Sequence, residues 1–467
     1  MVQLSDRIWG LAELGLQEFK SSQSLSELLQ EFGFTVEHGV AGLPTAFVAS
    51  YGSGHPVLGV MGEFDALPGL SQKPVPRREP LSEGAPGHGC GHNIHGVSGA
   101  FGAIAAKIQM EGNRVGGTVK FFGCPGEEAY EGKVFMVRAG LFSDVDAALS
   151  HHPGTMNVAP LASSNALNTV KFHFHGIASH AGESPEMGRS ALDAVELMNI
   201  GVNYLREHLS EKTRIHYVIQ DGGLQPNIVP SYARSWYFIR APTRDQVEGI
   251  YDRVLKIADA ADLMSGTTHQ TELLTGCYNM LPNRRLSELV TANMREVGAP
   301  SYSEEELIFA DAISKTISIE TKEESLRHSG RPDWEKLTEV ALDRKILDAW
   351  DEGKVETSST DVADVSWVTP AMEFYTQTFI LGTNLHSWQA VAQAGMGIGH
   401  RSLVFASKTI VGTVLDLLTK PDLLSEVRSE FKQKTKGRQY VSPIPPEVDP
   451  PLEAAREQRR SLDDKLT

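Results

Sequence analysis

Only three of the 467 residues are cysteine: Cys90, Cys124 and Cys277. An odd number at such wide spacing does not make a disulfide framework, and it points to a reducing, cytoplasmic setting. Basic charge is also scarce, with 43 Lys and Arg against 59 Asp and Glu and a formal net charge of -16. A nucleic-acid binder needs a basic face, so that class is set aside. A small local patch can still oppose the global sign at a substrate site. No uncharged apolar run reads as long enough to span a bilayer. Asp6 and Glu13 interrupt the first apolar residues, so no signal-peptide core is visible. Gly-x-Ser-x-Gly elbows, phosphate loops and internal repeats are missing too, and Gly52-Ser53-Gly54 is too short for either motif.

What is present fits a soluble globular protein, with 41% hydrophobic and 22% charged residues. The length exceeds one ordinary core, so two domains are expected. Residues 3–32 place Leu25, Leu28, Leu29 and Phe32 at helical spacing before Gly33 and read as helix. Residues 45–50 and 57–62 read as strands, the second buried on both faces because it does not alternate. That strand runs into Glu63-Phe64-Asp65, and open α/β sheets build their sites at such carboxyl ends. A proline-rich loop leads to Gly87-His88-Gly89-Cys90-Gly91-His92-Asn93 and an Ala/Gly-rich helix at 94–110, suited to close packing on a sheet. Strand 118–123 runs into Cys124-Pro125-Gly126-Glu127-Glu128, and strand 146–149 ends at His151-His152-Pro153. Three strand ends of one α/β unit therefore carry ionisable side chains.

From 167 to 280 the pattern changes. Strand 169–175, helix 188–208, strands 214–220 and 231–240, helix 243–263 and strand 267–276 follow the order β-α-β-β-α-β of a ferredoxin-like unit. The expected division is a catalytic domain in two parts, 1–166 and 281–435, around an inserted domain at 167–280. Helices are expected at 286–297, at 303–350 with a break near Gly330-Arg331-Pro332, and at 402–434. Strand 374–381 leads to His386. The tail 436–467, rich in proline and mixed charge, reads as flexible.

A thiol and an imidazole two residues apart on a glycine-rich loop can turn toward a common point, as a metal site on a loop requires. A Cys-x-His taken alone describes a buried thiol beside a loop histidine just as well. Glu127-Glu128 is a solvated acid pair or a division of work, one carboxylate on metal and one as base. One of His151 and His152 is a candidate ligand and the other a packing residue. His386 is a lone histidine after the last apolar strand. Asp65 can orient a ligand through a hydrogen bond. In the inserted domain His180 lies among small residues, Asn227 offers an amide, and Arg240, at a strand end, is the type that holds a carboxylate through paired hydrogen bonds. A Cys90–His nucleophilic pair leaves Glu127, Glu128 and His386 without roles.

Taken together, Glu13-Leu14-Gly15-Leu16-Gln17-Glu18, Asp65-Ala66-Leu67-Pro68, the Cys90/His92 loop, Gly126-Glu127-Glu128 and the His180 motif resemble the dinuclear-metal aminoacylase and amidohydrolase metallopeptidase family over residues 3–435. Gly62-Glu63-Phe64-Asp65, Phe122-Gly123-Cys124-Pro125-Gly126-Glu127-Glu128 and Ser359-Thr360-Asp361 are most similar to its aminobenzoyl-glutamate hydrolase subgroup. The resemblance implies an α/β fold: a mixed-sheet metallopeptidase catalytic domain with an inserted ferredoxin-like lid and dimerisation domain. It implies Cys90, His92, Glu128, His152 and His386 as ligands of two divalent metal ions, manganese or zinc. Glu127 becomes the general acid/base, Asp65 orients the site, and Arg240 receives a substrate carboxylate. His180 and Asn227 become lid residues that reach an active site, often the partner subunit's. Asn93 and Ala12 stand where aspartate and proline are usual, and the abrupt start at the first helix suggests a segment missing relative to the family.

The implied reaction is hydrolysis of N-acyl or N-aroyl amino acids, aminobenzoyl-glutamate-like, or of dipeptides by a metal-activated water. The rivals are an aryl-amine deaminase and a catalytically idle partner subunit. A homodimer through the lid is expected, or a hetero-oligomer, with no nucleic-acid or membrane partner.

Overall fold

The computed structural model describes residues 1–466. Among the described residues twelve strands form two sheets: β1 Thr35–His38, β2 Phe47–Ser53, β3 Val57–Glu63, β4 Gly117–Cys124, β5 Ala147–Gly154, β6 Asn157–Val158, β7 Ala166–His175, β8 Arg214–Asp221, β9 Tyr232–Ala241, β10 Thr268–Cys277, β11 Ile346–Leu347 and β12 Ala371–Gln377. The larger sheet has eight strands in the order β1-β2-β4-β3-β5-β12-β6-β11. At its centre β4, β3, β5 and β12 run parallel. All of β3 is buried, as expected for a strand covered on both faces. The helix His92–Asn113 lies against it so closely that a Cβ on Gly99 would stand 2.8 Å from the Met61 carbonyl oxygen. Behind that helix packs Gly397–Thr419, long and apolar enough by composition to cross a membrane, yet with 56% of its most apolar window buried in this core.

The inserted unit is the four-stranded antiparallel sheet β10-β7-β9-β8. Helices Ala191–Leu205 and Arg244–Ser265 cover one face, and β9 alternates strictly between buried and half-buried residues. Its core, including Phe172, Phe174, Val195, Met198 and Tyr237, is separate from those of the larger domain. The chain enters through β7 and leaves through β10, which lie side by side with Leu167 opposite Cys277.

Three expectations change. The helix expected at 3–32 is two, Val2–Leu11 and Phe19–Glu31. Between them Ala12 and Leu16 take φ of 43° and 60°, and Leu14 bridges to Ala66. The turn swings Glu18 inward, where its carboxylate accepts from the Gly126 N–H at 2.8 Å and the Thr45 hydroxyl at 2.8 Å. Within 303–350, helix covers Glu304–Ser314 and Ile319–His328, followed by a short 3-10 turn at Trp334–Leu337. Beyond it the chain is irregular and organised by Arg331, which is 1% exposed and paired with Asp333 and Asp343.

The tail, expected to be flexible, is packed. Ile444 is completely buried with Phe135 and Val137, and Leu452–Leu466 is helical. Arg138 donates to the carbonyls of Pro445 (2.8 Å) and Val448 (2.7 Å), and Tyr440 donates to Asp364 at 2.7 Å. Prolines make this strap stiff and extended, so little chain freedom is lost when it lies down. Its Glu457 sits 3.4 Å from Arg234 and 4.0 Å from Lys171, both on the inserted sheet. Ile444→Ala should lower stability by about 2–5 kcal/mol in denaturant unfolding. A loose tail would give no change.

Candidate metal centre

Because the central strands are parallel, their carboxyl ends open on one edge. Asp65 follows β3, Glu127 and Glu128 follow β4, His152 lies near the end of β5, and His386 follows β12. Glycines set two of the approaches. Gly91 (φ 75°) sits between Cys90 and the helix beginning at His92, and Gly126 (φ 69°) sits before Glu127. Both take the left-handed conformation that a side chain disfavours. The backbone N–H of His386 donates to the Gly89 carbonyl at 3.0 Å and ties the two loops together.

Cys90 Sγ lies 3.7 Å from His152 Nε2 and 3.6 Å from His386 Nε2. His386 Nε2 is 3.2 Å from Glu128 Oε2. Two groups of ligand atoms, each within 4.8 Å, share this thiol: Cys90 with His92 and His152, and Cys90 with Glu128 and His386. Hydrogen bonds orient the imidazoles. His92 Nδ1 is 2.8 Å from Asp65 Oδ1 and His152 Nδ1 is 2.8 Å from the Pro153 carbonyl, so each donates outward and turns the Nε2 lone pair inward. The second Asp65 oxygen accepts from the Glu128 N–H at 3.0 Å. His151 turns away, bonded to Ser98 and Thr376 at 2.7 Å each, and packs.

His92 Nε2, Glu128 Oε1 and Glu63 Oε2 are buried without a hydrogen-bond partner. Such atoms cost of order 1–3 kcal/mol each when nothing meets them. Burial, then the carboxylates of Glu128, Glu127 and Glu63, push the Cys90 thiol up. Burial and the charges of Glu63 and Glu128 raise Glu127 well above the carboxylate range. Burial lowers His92, but Asp65 and Glu63 outweigh it and carry the group to about 10. Burial and the His92 charge lower His152 to about 4. The site thus asks for positive charge at its centre, and its S/N/O donors are those that zinc or manganese accept. The residues present fit a pair of divalent cations.

One part carried no readable signal. Lys133 Nζ, completely buried, lies 2.5 Å from Glu63 Oε1 and 2.6 Å from Asp361 Oδ1. Glu63 Oε2 in turn is 3.2 Å from His92 Nε2. Glu63 was visible as an acid at a buried strand end; Lys133 lies within a helix and nothing marked it. Glu63, His95 and Glu373 also come within 4.8 Å, but they are not a third cation site. His95 Nδ1 accepts from the Glu63 N–H at 2.9 Å, so its Nε2 carries the proton, directed at Ser150 Oγ (3.1 Å).

Cys90, Glu127, Glu128, His152 and His386 line one end of a cavity of about 370 Å³, and Arg240 and Phe238 enter it from β9. His180 and Asn227 do not line it. Both are exposed on the inserted domain, where Ala181 N–H donates to the Asn227 carbonyl and His180 Nδ1 accepts from the N–H of Gly182 and Glu183.

Residues 163–263 match the peptidase dimerisation domain. Over 96% of its length the chain is 41% identical to a p-aminobenzoyl-glutamate hydrolase polypeptide of Escherichia coli (strain K12), covering 95% of that protein. The chain belongs to the M20 peptidase family. A more distant member is the Xaa-Arg dipeptidase of Homo sapiens, 28% identical over 94% of this chain and 91% of that one. The fold is also that of a dinuclear metal binding peptidase from the M20 family of Bacillus subtilis, with a TM-score of 0.51 at 14% identity, covering 88% of this chain and 96% of that one. As a member of the M20 family the protein is a hydrolase of amide bonds. Replacing Lys133 by Met would strand Glu63 and Asp361 as buried charges. A loss of about 3–5 kcal/mol is expected in thermal or denaturant unfolding, partly recovered by adding Asp361→Asn.

Proposed function

We propose that this amidohydrolase cleaves N-acyl or N-aroyl amino acids, or dipeptides, at a two-cation centre. The sharing of Cys90 between two ligand groups, with the Glu127 carboxyl beside them, carries the reading. Cys90, His92 and His152 would hold one cation, and Cys90, Glu128 and His386 the other. When bound, the pair would lower the pKa of water and polarise the scissile carbonyl. Glu127 takes the proton of the attacking water and delivers it to the departing amine. It is buried, 4.0 Å from His92 Nε2, and free to serve because Glu128 carries the ligand role. Asp65 holds His92 in its working tautomer and fixes the Glu128 backbone. Arg240, on the far side of the cavity, receives the carboxylate of the departing amino acid. The curated relatives cleaving p-aminobenzoyl-glutamate or Xaa-Arg dipeptides by name support this substrate class.

Glu127→Ala should keep its metal content by mass spectrometry and lose turnover by a factor of about 100 or more. Near-normal turnover would remove Glu127 from the mechanism.

The inserted domain is proposed as the homodimer interface. β8 is an edge strand exposing Val218 and Ile219, and Ile200 and Tyr204 stand exposed on the Ala191–Leu205 helix. In such a dimer His180 and Asn227 are offered to the partner's cavity. Sedimentation should show a dimer for the native chain and a monomer for Ile200→Asp with Tyr204→Asp; a native monomer would refute it.

A further inference from the structure

The cavity end away from the proposed ligands carries charges that the mechanism above leaves unused. Glu131 stands at φ 45° and ψ 59°, a left-handed conformation that non-glycine residues rarely adopt. Strain of this kind collects at functional positions. Its side chain lines the cavity, the residue is 5% exposed, and Oε2 has no hydrogen-bond partner. Arg240 enters the same space from β9 with Nε likewise buried and unpartnered, its guanidinium 5.6 Å from the Phe238 ring centre. The two are close enough for Arg240 to favour the ionised form of Glu131, against burial and the Asp361 charge, which raise that carboxyl to about 8. Glu373, 7% exposed with Oε1 unpartnered, and the carboxylates of Asp351 and Glu356 also line the cavity. Among the described residues Arg240 is the only Lys or Arg in that lining.

A carboxylate on the departing amino acid accounts for Arg240. It does not account for a strained, buried, unpartnered acid beside it, nor for three further acids. We propose that Glu131 and Arg240 together read the departing residue, and that this residue carries a cationic side chain, of the lysine, ornithine or arginine type, beside its carboxylate. The inference rests on the amidohydrolase reading and on Arg240 as the carboxylate partner. An acidic side chain there would face Glu131 and Glu373 across a low-dielectric cavity, a repulsion that disfavours glutamate. A neutral one would leave Glu131 buried and unmatched.

The test uses the full-length chain loaded with zinc or manganese. Values of kcat/KM are measured for N-acetyl-lysine, N-acetyl-leucine and N-acetyl-glutamate, and Kd values for free lysine, leucine and glutamate by calorimetry. Lysine should lead leucine by about tenfold or more and glutamate by a wider margin in both readouts. Glu131→Gln should cut the lysine-to-leucine ratio by about tenfold or more. Glu131→Gly, which suits the positive φ, should do the same with the fold intact. An unchanged ratio in both variants, or a native preference for glutamate, overturns the proposal. Turnover of the panel without a lysine preference removes the charge reader and keeps the hydrolase. Selective binding of lysine with no turnover of any substrate removes the hydrolase reading and keeps the charge reader.

Discussion

Everything at the centre hangs on how one carboxylate divides its two oxygens. Asp65 gives Oδ1 to the ring of His92 and Oδ2 to the backbone N–H of Glu128. One group thereby fixes a member of each proposed ligand set, from two strand ends whose approach is built separately. Glu18 does a similar service one residue before Glu127, by holding the Gly126 N–H. The turn carrying both glutamates is thus pinned from two sides by buried acids, and the bend between the first two helices exists to deliver the second of them.

This construction concentrates negative charge, and the protein balances it unevenly. Lys133 neutralises Glu63 and Asp361 from below and is raised well above its ordinary range despite burial, which alone would lower it. Among the described residues no comparable lysine or arginine is paired with Glu127 or Glu128. A full complement of fixed positive charge would make the centre comfortable when empty and weaken its hold on a metal. The residual deficit is what makes the donors fit divalent ions.

The parts legible in sequence were those in which chemistry and local pattern coincide. Glu127, Glu128 and His152 sit where apolar strands stop, and strands must stop at the same edge if they run parallel. The inserted domain was legible because its six elements follow one another without long interruptions. The Glu63–Lys133–Asp361 chain was not, since its members lie 70 and 228 residues apart and only packing brings them together. The tail misled for a related reason: proline and mixed charge describe a chain with little core of its own, yet Ile444 borrows another core. The split of the first helix was hidden because Glu18 looks like any exposed helical acid until Gly126 is placed beside it.

The two tethers of the inserted domain, β7 and β10, are neighbours in the same sheet. A body held by two adjacent strands can swing about the line joining them but can slide very little. Arg240 rides on that swinging body, at the end of β9, whereas Glu131 is anchored next to Lys133 in the larger domain. The gap between the two charges is therefore a measure of hinge angle. A guest that bridges them acts as a calliper, setting the angle by its own length, with Glu457 of the strap pulling on Arg234 and Lys171 from outside.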